Sequence, residues 1–169
     1  MIFRKNREWA SGELILFADA DYASAVNDMR LVSGAAVSVA GVAVSWLSRT
    51  LKCVTLSTTE AEYVAMTNVL KEVIYVRNVL SFMDCVHRKI VLREDNQGAT
   101  ALAENPVGSN NNKHIEVRIH CIREQVGLGS VEVFHVESAQ QHAGILTKPL
   151  GWGSFELHRD SFWGGVHDG

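Results

Sequence analysis

Long apolar runs are missing from this 169-residue chain. No uninterrupted stretch approaches the ~20 residues that a membrane-spanning helix needs, so no membrane association is expected. The opening residues, Met1-Ile2-Phe3-Arg4-Lys5, reach charge almost at once and hold no apolar segment of a secretory leader. Cysteine is scarce as well. Cys53, Cys85 and Cys121 are odd in number and widely spaced, without the paired spacing of a metal knuckle. A reduced, intracellular setting with structural thiols is therefore expected. Positive charge is also in short supply: the formal net charge is −3. Proteins that hold nucleic acid by phosphate contacts alone are usually basic. Any nucleic-acid role must then rest on local basic patches and on metal ions that offset the protein's acids. Internal repeats and low-complexity linkers are absent too.

What is present suits one soluble domain with a real core, at 47% hydrophobic and 21% charged residues. Glu13 to Ala18 is a short apolar run leading into Asp19, the mark of a strand buried on both faces. Leu31 to Ala40 and Val42 to Leu47, separated by Gly41, predict a β-hairpin. A long helix is expected from Thr58 to Phe82, and a strand from Lys89 to Arg93 leads to Glu94-Asp95. Asn96 to Glu104 predicts a helix stopped by Asn105-Pro106. Ile115, Ile119, Ile122 and Val126 form one stripe of a further helix, ended by Gly127 and Gly129. Ser130 to Val136 predicts the last strand and Gln140 to Thr147 a short closing helix. This order defines an α/β domain with a mixed sheet flanked by helices. Residues 1–150 form that domain, and 151–169 are a Gly-rich tail without an assigned role.

Within the long helix, Ser57-Thr58-Thr59-Glu60 matches a capping box, which gives Glu60 a structural task. A helix turns about 100° per residue, so Glu62 points nearly opposite to Glu60. Glu60, Thr67, Lys71 and Asn78 make an outward ridge; Met66, Val69, Val73, Val76 and Leu80 face in, and Glu62 begins that inward side. A buried carboxylate needs a cation, a cluster of donors or a raised pKa. A salt bridge from Glu62 to an arginine meets that need equally well.

Asp19 and Asp95 each stand at the end of an expected strand. If those strands are neighbours, both acids lie at one edge of the sheet, where Glu62 can meet them. Taken singly, Asp19 could belong to a turn with Asp21, and Asp95-Asn96 could cap the next helix. Taken together, three converging carboxylates call for a divalent metal, and oxygen-rich sites suit Mg²⁺ or Mn²⁺. Two such ions about 3.5–4 Å apart activate water and stabilise the leaving oxygen in phosphodiester cleavage.

Several segments in order, Phe17-Ala18-Asp19-Ala20-Asp21-Tyr22-Ala23, Val44-Ser45-Trp46, Leu56-Ser57-Thr58-Thr59-Glu60-Ala61-Glu62-Tyr63, Asp95-Asn96-Gln97-Gly98-Ala99, Lys113-His114-Ile115-Glu116-Val117-Arg118 and Ile145-Leu146-Thr147-Lys148-Pro149-Leu150, resemble the ribonuclease H domain of copia-type retrotransposon polyproteins. The resemblance runs through nearly the whole chain and fades after Leu150. It implies a ribonuclease H-like fold with a five-stranded mixed sheet flanked by helices. It also implies two-metal hydrolysis, with Mg²⁺ or Mn²⁺, of the RNA strand in RNA–DNA hybrids. A reverse transcriptase domain in the parent polyprotein is implied, and with it a cytoplasmic retrotransposon particle or the nucleus. By position, Asp19, Glu62 and Asp95 match the catalytic, metal-binding acids, and Asp21 supports them.

One departure stands out. Where the family reads Ala-Asp-Ile-Leu-Thr-Lys-Pro, this chain has Ala143-Gly144-Ile145-Leu146-Thr147-Lys148-Pro149, so the fourth acid is replaced by Gly144. Weaker binding of the second ion is expected, with the fold intact. His142 nearby could hold a water or a metal, but a solvent-facing loop residue is the expectation, and Glu94, next to Asp95 on a strand, is expected to point to the opposite face. For the hybrid, Arg49, Lys52, Lys113, His114, Arg118 and His120 are the candidate contacts, with Arg123 beside them and Arg4, Lys5 and Arg7 near the start. Contacts to phosphates and 2′-hydroxyls need no sequence readout. Trp9 and Trp46 are expected to be core or packing aromatics and not base stackers. The competing function is a catalytically inactive module that binds hybrid nucleic acid or a protein partner.

Overall fold

The computed structural model describes residues 14–21, 31–51, 57–83, 89–104 and 113–162, with side chains of 113–119 outside the description. In chain order the elements are β1 (Leu14–Asp21), β2 (Val32–Val39), β3 (Val42–Thr50), α1 (Thr58–Phe82), β4 (Ile90–Glu94), α2 (Gln97–Glu104), α3 (Lys113–Gly127), β5 (Val131–His135), two 3-10 turns (Ser138–Gln140 and His142–Leu146) and α4 (Trp152–Phe162). The five strands make one sheet in the order β3-β2-β1-β4-β5. β1 runs antiparallel to β2 and parallel to β4, with Phe17 opposite Arg93. It is therefore the central strand, and its carboxyl end lies beside that of β4.

Why β1 takes this place follows from its sequence. Leu14, Leu16 and Ala18 face the main core under α1, while Ile15 and Phe17 face a second cluster with Ala36 and Ala143. A strand apolar on both sides can sit only in the middle of a layered domain. Each large buried side chain contributes roughly 1.5–3 kcal/mol by leaving water. β2 and β3 meet in a tight turn at Ala40 and Gly41, both with positive φ, 52° and 79°. Such a turn matches the right-handed twist of the strands it joins, and glycine adopts it without cost to a side chain.

α1 begins where its cap predicts. Ser57 has extended backbone, and its hydroxyl accepts the Glu60 N–H at 3.1 Å. Met66, Val69 and Val73 are buried on its inward face. Thr67 departs from the expected outward ridge: it is buried, and its hydroxyl donates to the Tyr63 carbonyl at 2.9 Å. That intrahelical bond removes the penalty for burying a hydroxyl, so polarity alone did not decide its side. Among the described residues, no helix is long and apolar enough to cross a membrane.

The opposite face of the sheet is covered by residues 138–162. The expected closing helix is in fact two 3-10 turns, and α4 follows in the segment for which the sequence offered no element. Phe162 packs against the Ile15–Phe17 cluster, and His158 is buried. Trp46 is not a core residue. It stands 63% exposed on the outer strand β3, at the rim of an apolar groove shared with Ala43, Ile145, Leu146 and Phe162. β3 is an edge strand, and among the described residues Ile145, Leu146 and Phe162 line the groove beside Trp46 without covering it. Trp9, Cys53 and Cys85 lie outside the described residues.

Candidate active site

The parallel pairing of β1 with β4 brings two acids together. Asp19 lies two residues beyond Phe17 on β1, and Asp95 two beyond Arg93, just past the end of β4. Glu62, one turn into α1, comes down over the same edge. Each of the three offers an oxygen, and these oxygens all lie within 4.8 Å of one another. Asp19 is 1% exposed and Glu62 7%. The alternative for Glu62, an arginine partner, is not seen among the described residues. Its Oε2 is buried and has no hydrogen-bond partner there.

The electrostatics follow from this crowding. Burial pushes the Glu62 carboxyl well above the usual carboxylate range, and the charges of Glu94, Asp19 and Asp95 push it further. The Ala20 backbone N–H opposes that rise. An acid held in this way keeps its proton unless a cation arrives to replace it. The orphaned oxygen and the all-carboxylate donor set suit a hard divalent ion such as Mg²⁺ or Mn²⁺.

Local structure explains why Asp95 is available. The cap of α2 is Asn96, whose Oδ1 accepts the Ala99 N–H at 3.0 Å. Thr59 on α1 also donates to that Oδ1, at 3.4 Å. Asp95 therefore does not serve as the cap. Glu94 corrects an expectation. It is 0% exposed and shares the α1-facing side of β4 with Ile90 and Leu92. Its Oε1 accepts the Asn96 N–H at 3.0 Å, and its Oε2 is buried without a partner among the described residues. Burial raises its pKa, and Asp95 and Asp19 add to the rise. Strand alternation failed as a guide because β4 ends at Glu94, so Asp95 no longer obeys the pleat.

The other side of Asp19 is built from residues 141–148. Gln141, fully buried, donates from Nε2 to the Ala18 carbonyl at 2.7 Å and the Arg93 carbonyl at 3.2 Å. It thereby ties the carboxyl ends of β1 and β4 at the level of the acids. The Thr147 hydroxyl donates to Asp19 Oδ2, and Lys148 Nζ lies 3.2 Å from Asp19 Oδ1. Gly34 makes this approach possible. It pairs with Asp19 across the sheet, and a Cβ there would lie 2.6 Å from Thr147 Cγ2 and 2.9 Å from the Ala143 carbonyl. Gly34 and Gln141 belong to none of the sequence motifs, and Thr147 stands in one without an assigned role. Gly34 left only a weak signal, a glycine inside a Val- and Ala-rich strand.

Gly144 lies buried in the second 3-10 turn and presents no donor side chain. A Cβ on it would stand 3.2 Å from Lys148 Cε. His142 is not solvent-facing. It is half-buried, lies edge-on to Phe17, and its Nδ1 is 2.9 Å from His158 Nδ1. Burial, then His158 and Arg93, lower its pKa to about 4. Of the basic candidates, Arg49 on β3 and His120 on α3 are exposed. Lys113, His114 and Arg118 belong to α3, with side chains outside the description, and Lys52, Arg4, Lys5 and Arg7 lie outside the described residues.

The sheet order and the helices around it define a ribonuclease H fold. The N-terminal ribonuclease H domain of a Mycobacterium tuberculosis protein, solved as a maltose-binding-protein fusion, matches with a TM-score of 0.59, covering 88% of this chain and 97% of that one at 12% identity. LC11-RNase H1, isolated from compost, matches with a TM-score of 0.62 over 80% and 92% of the two chains at 13% identity. The same enzyme in complex with an RNA/DNA hybrid matches at 0.55, over 76% and 88% of the two chains, with 15% identity. No family model matches the chain. The chain is homologous to one segment of the retrovirus-related Pol polyproteins of plant copia-type transposons. It is 36% identical over 144 residues to that of TNT 1-94 from Nicotiana tabacum, and 37% identical over 141 residues to that of RE1 from Arabidopsis thaliana. These alignments cover 85% and 83% of this chain, which spans only 11% and 10% of the polyproteins' length.

Proposed function

We propose that this chain is a metal-dependent endonuclease that hydrolyses the RNA strand of RNA–DNA hybrids. The observation that carries the reading is the convergence of Asp19, Glu62 and Asp95 at the ends of two adjacent parallel strands, with Glu62 Oε2 buried and unpartnered. Homology to transposon Pol polyproteins and the fold shared with ribonucleases H support the substrate class. They also support a parent polyprotein in which a reverse transcriptase makes the hybrid.

In this reading Asp19, Glu62 and Asp95 hold Mg²⁺ or Mn²⁺. Bound there, a divalent ion supplies Lewis acidity at the phosphate and lowers the pKa of a water for attack. The chain's own residues hold the arrangement in place. Thr147 fixes one oxygen of Asp19, Gln141 keeps β1 and β4 together, and Asn96 caps α2 so that Asp95 faces the site. Two-ion catalysis asks for a further donor on the side of residues 141–148, where Gly144 offers none. Arg49, Lys52, Lys113, His114, Arg118 and His120 are assigned to the sugar–phosphate backbone of the hybrid, where contacts position without reading sequence. Incubating the purified protein with a hybrid labelled on its RNA strand, in Mg²⁺ and in Mn²⁺, tests the reading. RNA fragments that do not form from RNA or DNA duplexes are expected; no cleavage in either metal by folded protein overturns it.

The Lys148–Asp19 ion pair favours one competing reading, a module that binds hybrids without cutting them. Salt-sensitive hybrid binding without cleavage in either metal is its signature.

A further inference from the structure

We infer that the Lys148 ammonium is a built-in cation of the carboxylate cluster, standing in for a second divalent ion, so that the site takes one such ion per chain. The inference rests on the metal-binding reading of Asp19, Glu62 and Asp95 given above. Lys148 Nζ lies 3.2 Å from Asp19 Oδ1, and Asp19 is almost wholly buried, so the contact is not a loose surface pair. The side chain passes over Gly144: a Cβ built there would be 3.2 Å from Lys148 Cε and 3.8 Å from Nζ. The ammonium thus occupies the space into which a side chain at position 144 would project. Its reach is set by the backbone, since both Thr147 and Lys148 donate their N–H to the Gly144 carbonyl, at 3.3 and 3.2 Å.

The two sides of the cluster are consequently unequal. Both Asp19 oxygens already have donors, Thr147 on Oδ2 and Lys148 on Oδ1. Glu62, by contrast, is nine-tenths buried and keeps Oε2 without a partner among the described residues. Formal charge agrees with this division. Counting the three carboxylates whose oxygens face one another, ionised once an ion is bound, and the one ammonium leaves two negative charges, which one divalent ion neutralises. An acid at position 144 beside the same lysine would leave three, more than one divalent ion neutralises. Glycine at 144 removes one negative charge and leaves its space to the Lys148 side chain, which lowers the ion count in a consistent direction.

Counting bound Mn²⁺ by equilibrium dialysis and electron paramagnetic resonance, on the protein alone, tests this. The wild-type chain is expected to bind one ion. Lys148→Met removes the charge at similar length and is expected to tighten Mn²⁺ binding on the order of tenfold or more, since a cation a few ångströms away no longer repels the ion. Lys148→Arg keeps the charge and is expected to stay within about threefold of wild type, which separates a charge effect from a packing effect. The double variant Gly144→Asp/Lys148→Met is expected to bind two ions. If Lys148→Met unfolds the metal-free protein, Lys148→Gln is measured in its place. Two ions on the wild type, or unchanged affinity and count in the charge-removing variant, overturns the inference, and so does a complete lack of Mn²⁺ binding in all variants. One bound ion without hybrid cleavage rejects the nuclease reading and leaves the role of Lys148 standing.

Discussion

The two flanks of Asp19 are made of opposite chemistry. Toward α1 and β4 stand Glu62, Asp95 and Glu94, acids crowded against a hydrophobic layer, two of them with an oxygen that finds no donor among the described residues. Toward residues 141–148 stand donors: the Gln141 amide, the Thr147 hydroxyl and the Lys148 ammonium. The first flank holds excess negative charge in a poorly solvated space and is stable only with a proton or a cation. The second is satisfied by the chain itself. Such a division places binding chemistry on one side of a central aspartate and structural support on the other.

Removing an acid from the unsatisfied flank should give the largest effect and split activity from stability. Glu62→Gln is expected to lower hybrid cleavage on the order of 100-fold or more. The same variant should melt higher than wild type in chelator, because a neutral amide replaces an acid whose ionisation burial opposes. Cleavage assays and thermal melts without metal check both halves. A variant that cleaves normally would make the acid flank merely structural.

The satisfied flank can be broken from a distance. Gly34→Ala places a methyl 2.6 Å from Thr147 Cγ2 and against the Ala143 carbonyl, which are parts of a packed segment and not the tip of a flexible chain. A loss of about 1–3 kcal/mol is expected from denaturant unfolding, with Lys148 moved off Asp19. Gln141→Leu should cost somewhat less, about 1–2 kcal/mol, by leaving the Ala18 and Arg93 carbonyls without their shared donor. Equal stability in both variants would mean that residues 141–148 dock independently of the sheet.

The acid flank could be read from sequence far better than the donor flank, for a physical reason. α1 announces itself by the Ser57 cap and by apolar spacing over 25 residues, so the inward direction of Glu62 followed from helix geometry alone. Asp19 and Asp95 followed from apolar strands that end in acids. The donor flank has no such periodicity: two short 3-10 turns hold Gln141, Thr147 and Lys148, and their meaning depends on contacts more than 100 residues away in the chain. α4 escaped notice because Gly151 and Gly153 sit at its start and several of its apolar residues, Trp152 among them, remain exposed. Glu94 departs from the pattern at the one place where strand alternation stops applying, and Thr67 because a helix carbonyl can satisfy a buried hydroxyl.

The flanks should also titrate in opposite directions, which gives the smallest but most diagnostic effect. The folded pKa of Glu62 lies above its unfolded value, so its contribution is fully present below about pH 4.5 and is lost as pH rises. His142 behaves in reverse. Its folded pKa, about 4, lies below the ordinary 6.5, so the unfolded chain binds the extra proton between those values. Stability from the His142–His158 contact is therefore present above pH 6.5 and falls away toward pH 4. In wild-type protein with chelator the two trends oppose each other, and melting temperature should change little between pH 5 and pH 7. Removing either side should expose the other. His142→Gln is expected to melt relatively higher at pH 5 than at pH 7, because the acid flank then outweighs what buried His158 still contributes. Glu62→Gln is expected to lose part of that acid response, shifting its balance toward greater stability at pH 7. Parallel pH profiles in the two variants would show that the flanks do not titrate as separate units.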